Sequence, residues 1–353
     1  MPRAFRRNAT KFLILLVTGA LLFTILFKSK SVDKKAKPPV RNKNVDRLIR
    51  EGAIENKERL RHVQKVCEKY KLGTYKTASY DVEFKEPPAP QYGVYYFDSQ
   101  HNVSYCPIYK SGSTTWLYNL CLLNGVPEEE LLSGKEQISV IARRVMPELE
   151  YPEADEILKK TAKLMIVRHP FERLLSAYRD KLENSVAGRE HGSLHFYKRY
   201  GEAIVRKYRD KTRAMPSNNQ VIRRLGIPEP AGIEPTWREF VEYLIHTDLT
   251  SYADDHWTPY YLYCTPCLLN YDFIAKVETL DRDQLYAIHQ LGLSDLIIPR
   301  WQHATSGAND AASIYFSQLT KEHVRKLHAK FKLDFELFGY SSEEYYELAT
   351  SLS

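Results

Sequence analysis

Three times along this chain a short apolar run gives way to a polar loop and then to a helical pattern, and this recurrence restricts the fold more than any other feature. Val103–Tyr109 (VSYCPIY) reads as a buried strand interrupted late by Pro107, and a small polar loop leads to a helix over Thr115–Asn124 that Gly125 ends. Leu164–Val167 (LMIV) reads as a second strand. Pro170 then suits a first helical position, and Phe171, Leu174, Leu175, Tyr178 and Leu182 mark the apolar face of a helix. Phe273–Val277 is a third strand, followed by a helix from about Asp281. Strands alternating with helices predict an α/β domain built on a mainly parallel sheet.

The N-terminus has a different character. Phe12–Phe27 (FLILLVTGALLFTILF) is an uncharged run of 16 residues, with Arg3, Arg6, Arg7 and Lys11 before it and Lys28 and Lys30 after it. A membrane core takes about 17–25 helical residues, so the run spans if its basic flanks snorkel. No small-residue cleavage site follows Phe27, which favours an uncleaved signal-anchor over a cleaved signal peptide. The expected organisation is a tail over residues 1–11, a transmembrane signal-anchor over 12–27, a stem over 28–90 and a main domain over 91–345. Within the stem, residues 28–45 are rich in Lys, Pro and Asn and read as flexible. Residues 46–70 carry the spacing of one or two amphipathic helices. Pro87, Pro88 and Pro90 punctuate the approach to the domain. The glycosylation sequon at Asn102 argues that the domain is luminal, with Asn8 then left on the cytosolic side.

The formal net charge of +7 invites a polyanion-binding reading until it is located. Residues 1–65 hold 17 Lys+Arg against 5 Asp+Glu, a net of +12, which leaves 34 against 39, a net of −5, for residues 66–353. The basic excess sits in the tail and stem, so nothing marks the domain as a nucleic-acid binder. Five cysteines, Cys67, Cys106, Cys121, Cys264 and Cys267, would in part pair in an oxidising lumen and leave at least one over. Cys264-Thr265-Pro266-Cys267 has the spacing of half a zinc site, with no second half to match it.

Two segments carry candidate chemistry. Lys110-Ser111-Gly112-Ser113-Thr114-Thr115 lies between a predicted strand and a predicted helix. Small residues there let backbone N–H groups converge on an anion at a helix start, with Lys110 adding a charge. The same letters also describe a polar turn capping a helix. Arg168-His169-Pro170-Phe171-Glu172-Arg173-Leu174-Leu175-Ser176 starts at the C-terminal end of a predicted strand, where ligands of open α/β sheets gather. Arg168 and Ser176 can converge there on a second phosphate. Read apart from each other, they are equally a surface arginine and a helical serine.

Taken together, these segments resemble those of the sulfotransferases that use 3′-phosphoadenylyl sulfate (PAPS), and most closely the Golgi carbohydrate sulfotransferases. That family's Tyr-Cys-x-x-Pro-Lys segment reads Tyr105-Cys106-Pro107-Ile108-Tyr109-Lys110 here, running on to Trp116. Its Arg-x-Pro-Phe-Glu-Arg block recurs from Arg168 to Arg179. His256-Trp257, Cys264-x-x-Cys267, Tyr271-Asp272-Phe273 and Lys276-Val277-Glu278 form a third block, and Lys332–Tyr340 a fourth. The chain departs from the pattern at Tyr109, where Pro is usual, at Ser113, where Cys is common, and at Leu117-Tyr118, where relatives are basic.

The resemblance implies a P-loop-like fold in which residues 110–115 hold the 5′-phosphosulfate, and Arg168, Ser176 and Arg173 serve the 3′-phosphate. Lys110 would also stabilise the leaving group, no metal would be needed, and the acceptor would be a glycosaminoglycan or glycoprotein glycan. Position 4 of N-acetylgalactosamine in chondroitin or dermatan is the favoured hydroxyl, in a single-pass type II protein of the Golgi membrane. His256, in Asp254-Asp255-His256-Trp257, is the candidate base, with His169 better explained as local structure. Two other readings stand beside this one. A Golgi glycosyltransferase would use Asp281-Arg282-Asp283 for metal, although acidic residues at a helix start need no such role. A silent glycan-binding relative would have no use for Lys110, Arg168 and Ser176.

Overall fold

The computed structural model describes residues 43–76, 83–186, 193–210, 231–299 and 308–351. The chain divides into two units, Met1–Asp46 and Arg47–Ser353, and of the first only residues 43–46 are described. The expected membrane anchor at Phe12–Phe27 lies outside the described residues. Among the described residues no helix is long and apolar enough to cross a membrane.

The second unit is built on a four-stranded sheet, β1 (Tyr96–Asp98), β2 (Val103–Cys106), β3 (Ala162–Val167) and β4 (Phe273–Lys276), in that spatial order. β1 and β2 form an antiparallel hairpin, whereas β3 pairs in parallel with both β2 and β4. Register sets Cys106 beside Met165 and Val167 beside Lys276, so β3 and β4 end in step and β2 stops two residues earlier. Their side chains alternate between two apolar layers. Cys106, Met165, Val167 and Ile274 face one, with Leu333 and Leu337 of the helix Lys321–Phe338. Tyr105, Leu164, Ile166 and Ala275 face the other, with Trp116 and Leu120 of the helix Ser113–Leu123. Burial on both faces is what a parallel sheet requires. A third, aromatic-rich cluster packs the helices Pro170–Lys181, Trp237–His246 and Ala308–Phe316 together beside the sheet.

β4 is an edge strand, and side chains rather than another strand satisfy it. The stretch assigned above to a stem contains one long helix, Lys43–Lys69, and residues 47–90 belong to the same unit as the sheet. The Asn56 amide donates to the Asp272 carbonyl at 2.8 Å and accepts from the Ile274 N–H at 2.9 Å, as a neighbouring strand would. Arg59 donates to the Ile274 carbonyl, and Asp283 accepts from the Lys276 N–H. Gly52 permits this approach, since any Cβ there would lie 2.6 Å from Tyr286 Cβ. Covering an edge removes a template for aggregation. Two disulfides, Cys67–Cys267 and Cys106–Cys264, tie the long helix and the end of β2 to one tetrapeptide, and Cys121 is free and buried. Cys264 and Cys267 are therefore not half of a zinc site.

The carboxyl of Asp334 is buried within the helix Lys321–Phe338 and accepts from the N–H groups of Tyr260 at 2.7 Å and Tyr261 at 3.1 Å. Burial raises its pKa, the two amides oppose that, and the balance is about 7.

Two outcomes are expected. Asn56→Ala strands two backbone groups at the sheet edge and should cost about 1–3 kcal/mol in urea unfolding with the disulfides intact. For Asp334, the folded state holds its proton up to about pH 7, whereas an unfolded Asp releases it near pH 3.9. Stability should therefore fall as pH rises between these values, by at most about 1.4 kcal/mol per unit, and level off above. Asp334→Asn should remove that slope in thermal unfolding measured across the range.

Candidate functional site

The site forms where the parallel strands end. After β2 the chain turns tightly: Lys110 has φ +69° and Gly112 φ +73°. A left-handed lysine is costly, on the order of 1–3 kcal/mol, and persists only where its surroundings impose it. Here the Ser111 N–H donates to the Ile108 carbonyl at 3.1 Å, and Arg173 Nε donates to the Tyr109 carbonyl at 2.9 Å. Gly112 suits the second left-handed position, where any side chain would be strained and would also meet Leu280. The helix Ser113–Leu123 starts with no side-chain cap, and in its first turn the Thr115 N–H donates to the Gly112 carbonyl at 3.1 Å. Ser111 and Thr115 are buried, whereas Gly112, Ser113 and Thr114 are half-buried at the surface of the turn.

The Lys110 ammonium lies 3.1 Å from Asp180 Oδ2, and Lys181 Nζ approaches the same oxygen at 3.1 Å. Burial pulls the Lys110 pKa down, against the opposing pull of Asp180. Burial likewise works against the Asp180 charge, but Lys110 and Lys181 outweigh it and hold the carboxyl well below the usual range. Two cations thus share one anion, and the cluster keeps one positive charge in excess.

Arg168 stands just beyond β3. Its guanidinium donates to Glu172 Oε2 at 3.1 Å and to the Lys110 carbonyl at 3.5 Å, and its own carbonyl accepts from the Tyr260 hydroxyl at 2.6 Å. Burial raises the pKa of Glu172, with Arg168 opposing. Glu172, Ser176 and Asp180 recur at four-residue spacing, so one face of the helix Pro170–Lys181 presents all three beside the ends of β2 and β3. Ser176 is half-buried there. His169 is structural: its Nε2 is 2.8 Å from the Ser341 carbonyl oxygen and its ring stacks on Tyr345 at 4.5 Å. Glu278, beyond β4, accepts from the His169 N–H at 2.8 Å and from the Tyr340 hydroxyl at 2.9 Å, joining the exits of β3 and β4.

Arg173 departs from its expected role as a phosphate ligand. It is 1% exposed, and its guanidinium donates to three backbone carbonyls: Tyr109 at 2.9 Å, Thr258 at 2.6 Å and Asp255 at 2.9 Å. It braces the Lys110 turn against the segment bearing His256 and faces no cleft.

His256 sits across that brace. Its Nδ1 lies 2.7 Å from Asp254 Oδ1, which also accepts the His256 N–H at 3.0 Å, and the Tyr109 ring stacks on the imidazole at 4.7 Å. Burial lowers its pKa, Asp254 opposes this, and the charges of Lys181 and Lys110 push it lower. An imidazole whose pKa is lowered by burial, oriented by a carboxylate and acted on by two ammonium groups, is fitted to take a proton. Asp180, Lys181 and Tyr260 are the residues that motif reading passed over. Asp180 had a legible signal, since it lies one helical turn beyond Ser176.

The competing metal reading fails on geometry. Asp283 is 5% exposed and accepts from Arg59, Thr279 and the Lys276 N–H, so the Asp-x-Asp segment serves the sheet edge. Among the described residues, no group of His, Cys, Asp and Glu is arranged to hold a metal ion. Asn102 is exposed in the turn between β1 and β2.

The sulfotransferase family matches residues 94–341. Carbohydrate sulfotransferase 11 of Rattus norvegicus is 30% identical over 258 residues, covering 71% of this chain and 68% of its own length. Human carbohydrate sulfotransferase 9 is 28% identical over 258 residues, 70% of this chain and 53% of its own. Human carbohydrate sulfotransferase 8 is 27% identical over 293 residues, 80% of this chain and 62% of its own. No solved structure matches. With the family match running from before β1 to beyond the helix Lys321–Phe338, the chain belongs to the sulfotransferase family and is a sulfotransferase.

Proposed function

We propose that the protein transfers a sulfuryl group from PAPS to a glycan hydroxyl, as a type II membrane protein whose catalytic domain faces the Golgi lumen. One observation carries this reading: a strained cationic turn after β2 and an arginine after β3 lie side by side, with an oriented neutral histidine across from them. The turn, with its uncapped helix start and Lys110, fits the phosphosulfate. Arg168 and Ser176 fit the 3′-phosphate, with Glu172 holding the guanidinium meanwhile.

When bound, PAPS supplies an activated sulfuryl group on a phosphate leaving group. Lys110 exchanges Asp180 for the charge that builds on the bridging oxygen, and His256 accepts the acceptor hydroxyl's proton as the new O–S bond forms. Such transfer relies on positioning and charge stabilisation rather than on covalent help from the protein. Relatives named as carbohydrate sulfotransferases support a glycan acceptor. The motif resemblance favours position 4 of N-acetylgalactosamine in chondroitin or dermatan.

Radiolabelled transfer from PAPS to a panel of desulfated glycosaminoglycans, followed by disaccharide analysis, tests the acceptor. Lys110→Ala and Arg168→Ala should each reduce transfer at least about 100-fold with an unchanged circular dichroism spectrum. Full activity in either variant overturns the assignment. If the luminal domain fails to bind adenosine 3′,5′-bisphosphate, the donor reading falls. Because the His256 pKa is lowered and its neutral form is the base, kcat/KM should fall with decreasing pH only below the ordinary histidine value of about 6.5.

A further inference from the structure

The helix Ser193–Phe196 does not run straight into the helix Glu202–Tyr208. A single π-turn, Tyr197–Gly201, joins them and widens the helix locally. Such turns are uncommon and often mark functional sites, because they re-aim one side chain without ending the helix. Gly201 is built into this one, since any Cβ would lie 2.7 Å from the Tyr197 ring. The side chain re-aimed is Tyr200. Its ring meets Trp257 edge-on at 4.9 Å, and its hydroxyl donates to Asp254 Oδ2 at 2.9 Å. Asp254 Oδ1 is the oxygen that His256 Nδ1 approaches at 2.7 Å. Each carboxylate oxygen is therefore held from a different direction, and the imidazole is fixed with Nδ1 engaged and no hydrogen bond at Nε2 among the described residues.

We propose that Tyr200 is a positioning residue for the sulfuryl-transfer reaction: through Asp254 it fixes the orientation and the basicity of His256. This rests on the reading of His256 as the base. A phenol donating to one carboxylate oxygen draws charge from the other, so Asp254 pulls less strongly on the His256 proton than a free carboxylate would. Burial, followed by the Asp254 charge, raises the pKa of Tyr200 and keeps it a donor. Other charged and titratable groups also face these residues, among them Arg199, whose guanidinium lies 5.2 Å from the Tyr200 ring centre. Lys110 and Lys181 act on His256 from the β2 turn and the helix Pro170–Lys181, Asp255 adjoins it, and Tyr243 faces Asp254 from the helix Trp237–His246. Tyr200→Phe leaves all of these in place.

The experiment compares pH–rate profiles of radiolabelled transfer for the wild type, Tyr200→Phe, Asp254→Asn and His256→Ala, with adenosine 3′,5′-bisphosphate affinity measured alongside. Tyr200→Phe should lower kcat about tenfold, leave the KM for PAPS within about twofold, and move the acid limb up by about half a pH unit. Asp254→Asn should move that limb the opposite way, because it removes the charge that favours the imidazolium. An acid limb unmoved in Tyr200→Phe, in a series where His256→Ala abolishes transfer, overturns the proposal and leaves the base assignment standing. A His256→Ala variant that keeps both transfer and the wild-type acid limb overturns the base assignment instead. Loss of bisphosphate affinity in Tyr200→Phe also overturns the proposal, since the residue would then merely support the fold.

Discussion

A single buried cation holds the two halves of the site together. Arg173 has almost no contact with solvent, and burial alone lowers its pKa. Its guanidinium nevertheless meets three carbonyls, and it packs 4.8 Å from the Tyr260 ring centre. Hydrogen bonds from a charged donor contribute about 1.5–3 kcal/mol each, which is what makes such a burial tolerable. One carbonyl belongs to Tyr109, immediately before Lys110, and the other two flank His256. The distance between Lys110 and His256 is thus set by a buried residue that braces the segments carrying both. Tyr260 extends the arrangement: its hydroxyl holds the Arg168 carbonyl, and its amide is held by Asp334.

Much of the α/β frame was legible in the sequence because its signals are local. The run Val103–Tyr109 becomes a strand only as far as Cys106, since Pro107 cannot continue the ladder. Leu164–Val167 and Phe273–Val277 fall within one or two residues of β3 and β4. Arg173 was misread because a motif records letters and not partners. Helix spacing alone sets Arg173 beside Asp180; its burial and its three carbonyl partners come from Tyr109, Asp255 and Thr258, segments far from it in sequence. The docking of the helix Lys43–Lys69 escaped notice for a different reason. Apolar periodicity finds apolar contacts, whereas Asn56 and Arg59 meet backbone groups of β4 more than 200 residues away.

The three cations at the ends of β2 and β3 are each paired with a carboxylate. Lys110 and Lys181 share Asp180, and Arg168 rests on Glu172. An unpaired ammonium in a half-buried turn would be driven toward its neutral form, and an unpaired carboxylate would repel the incoming anion. Pairing keeps the groups charged and oriented, while the shared Asp180 leaves a net charge for the ligand to meet.

The two disulfides are nested, Cys67 with Cys267 around Cys106 with Cys264, and both end within four residues of each other. Neither bond can form until that tetrapeptide has left the ribosome. By then the partner thiols, 200 and 158 residues earlier, have long been exposed. For that interval the nascent chain carries at least two unpaired cysteines, and its covalent closure is a late event. A single backbone cut between residues 107 and 263 in the finished protein would leave two pieces still joined by both bridges. Damage there would show on a reducing gel while the particle stayed whole.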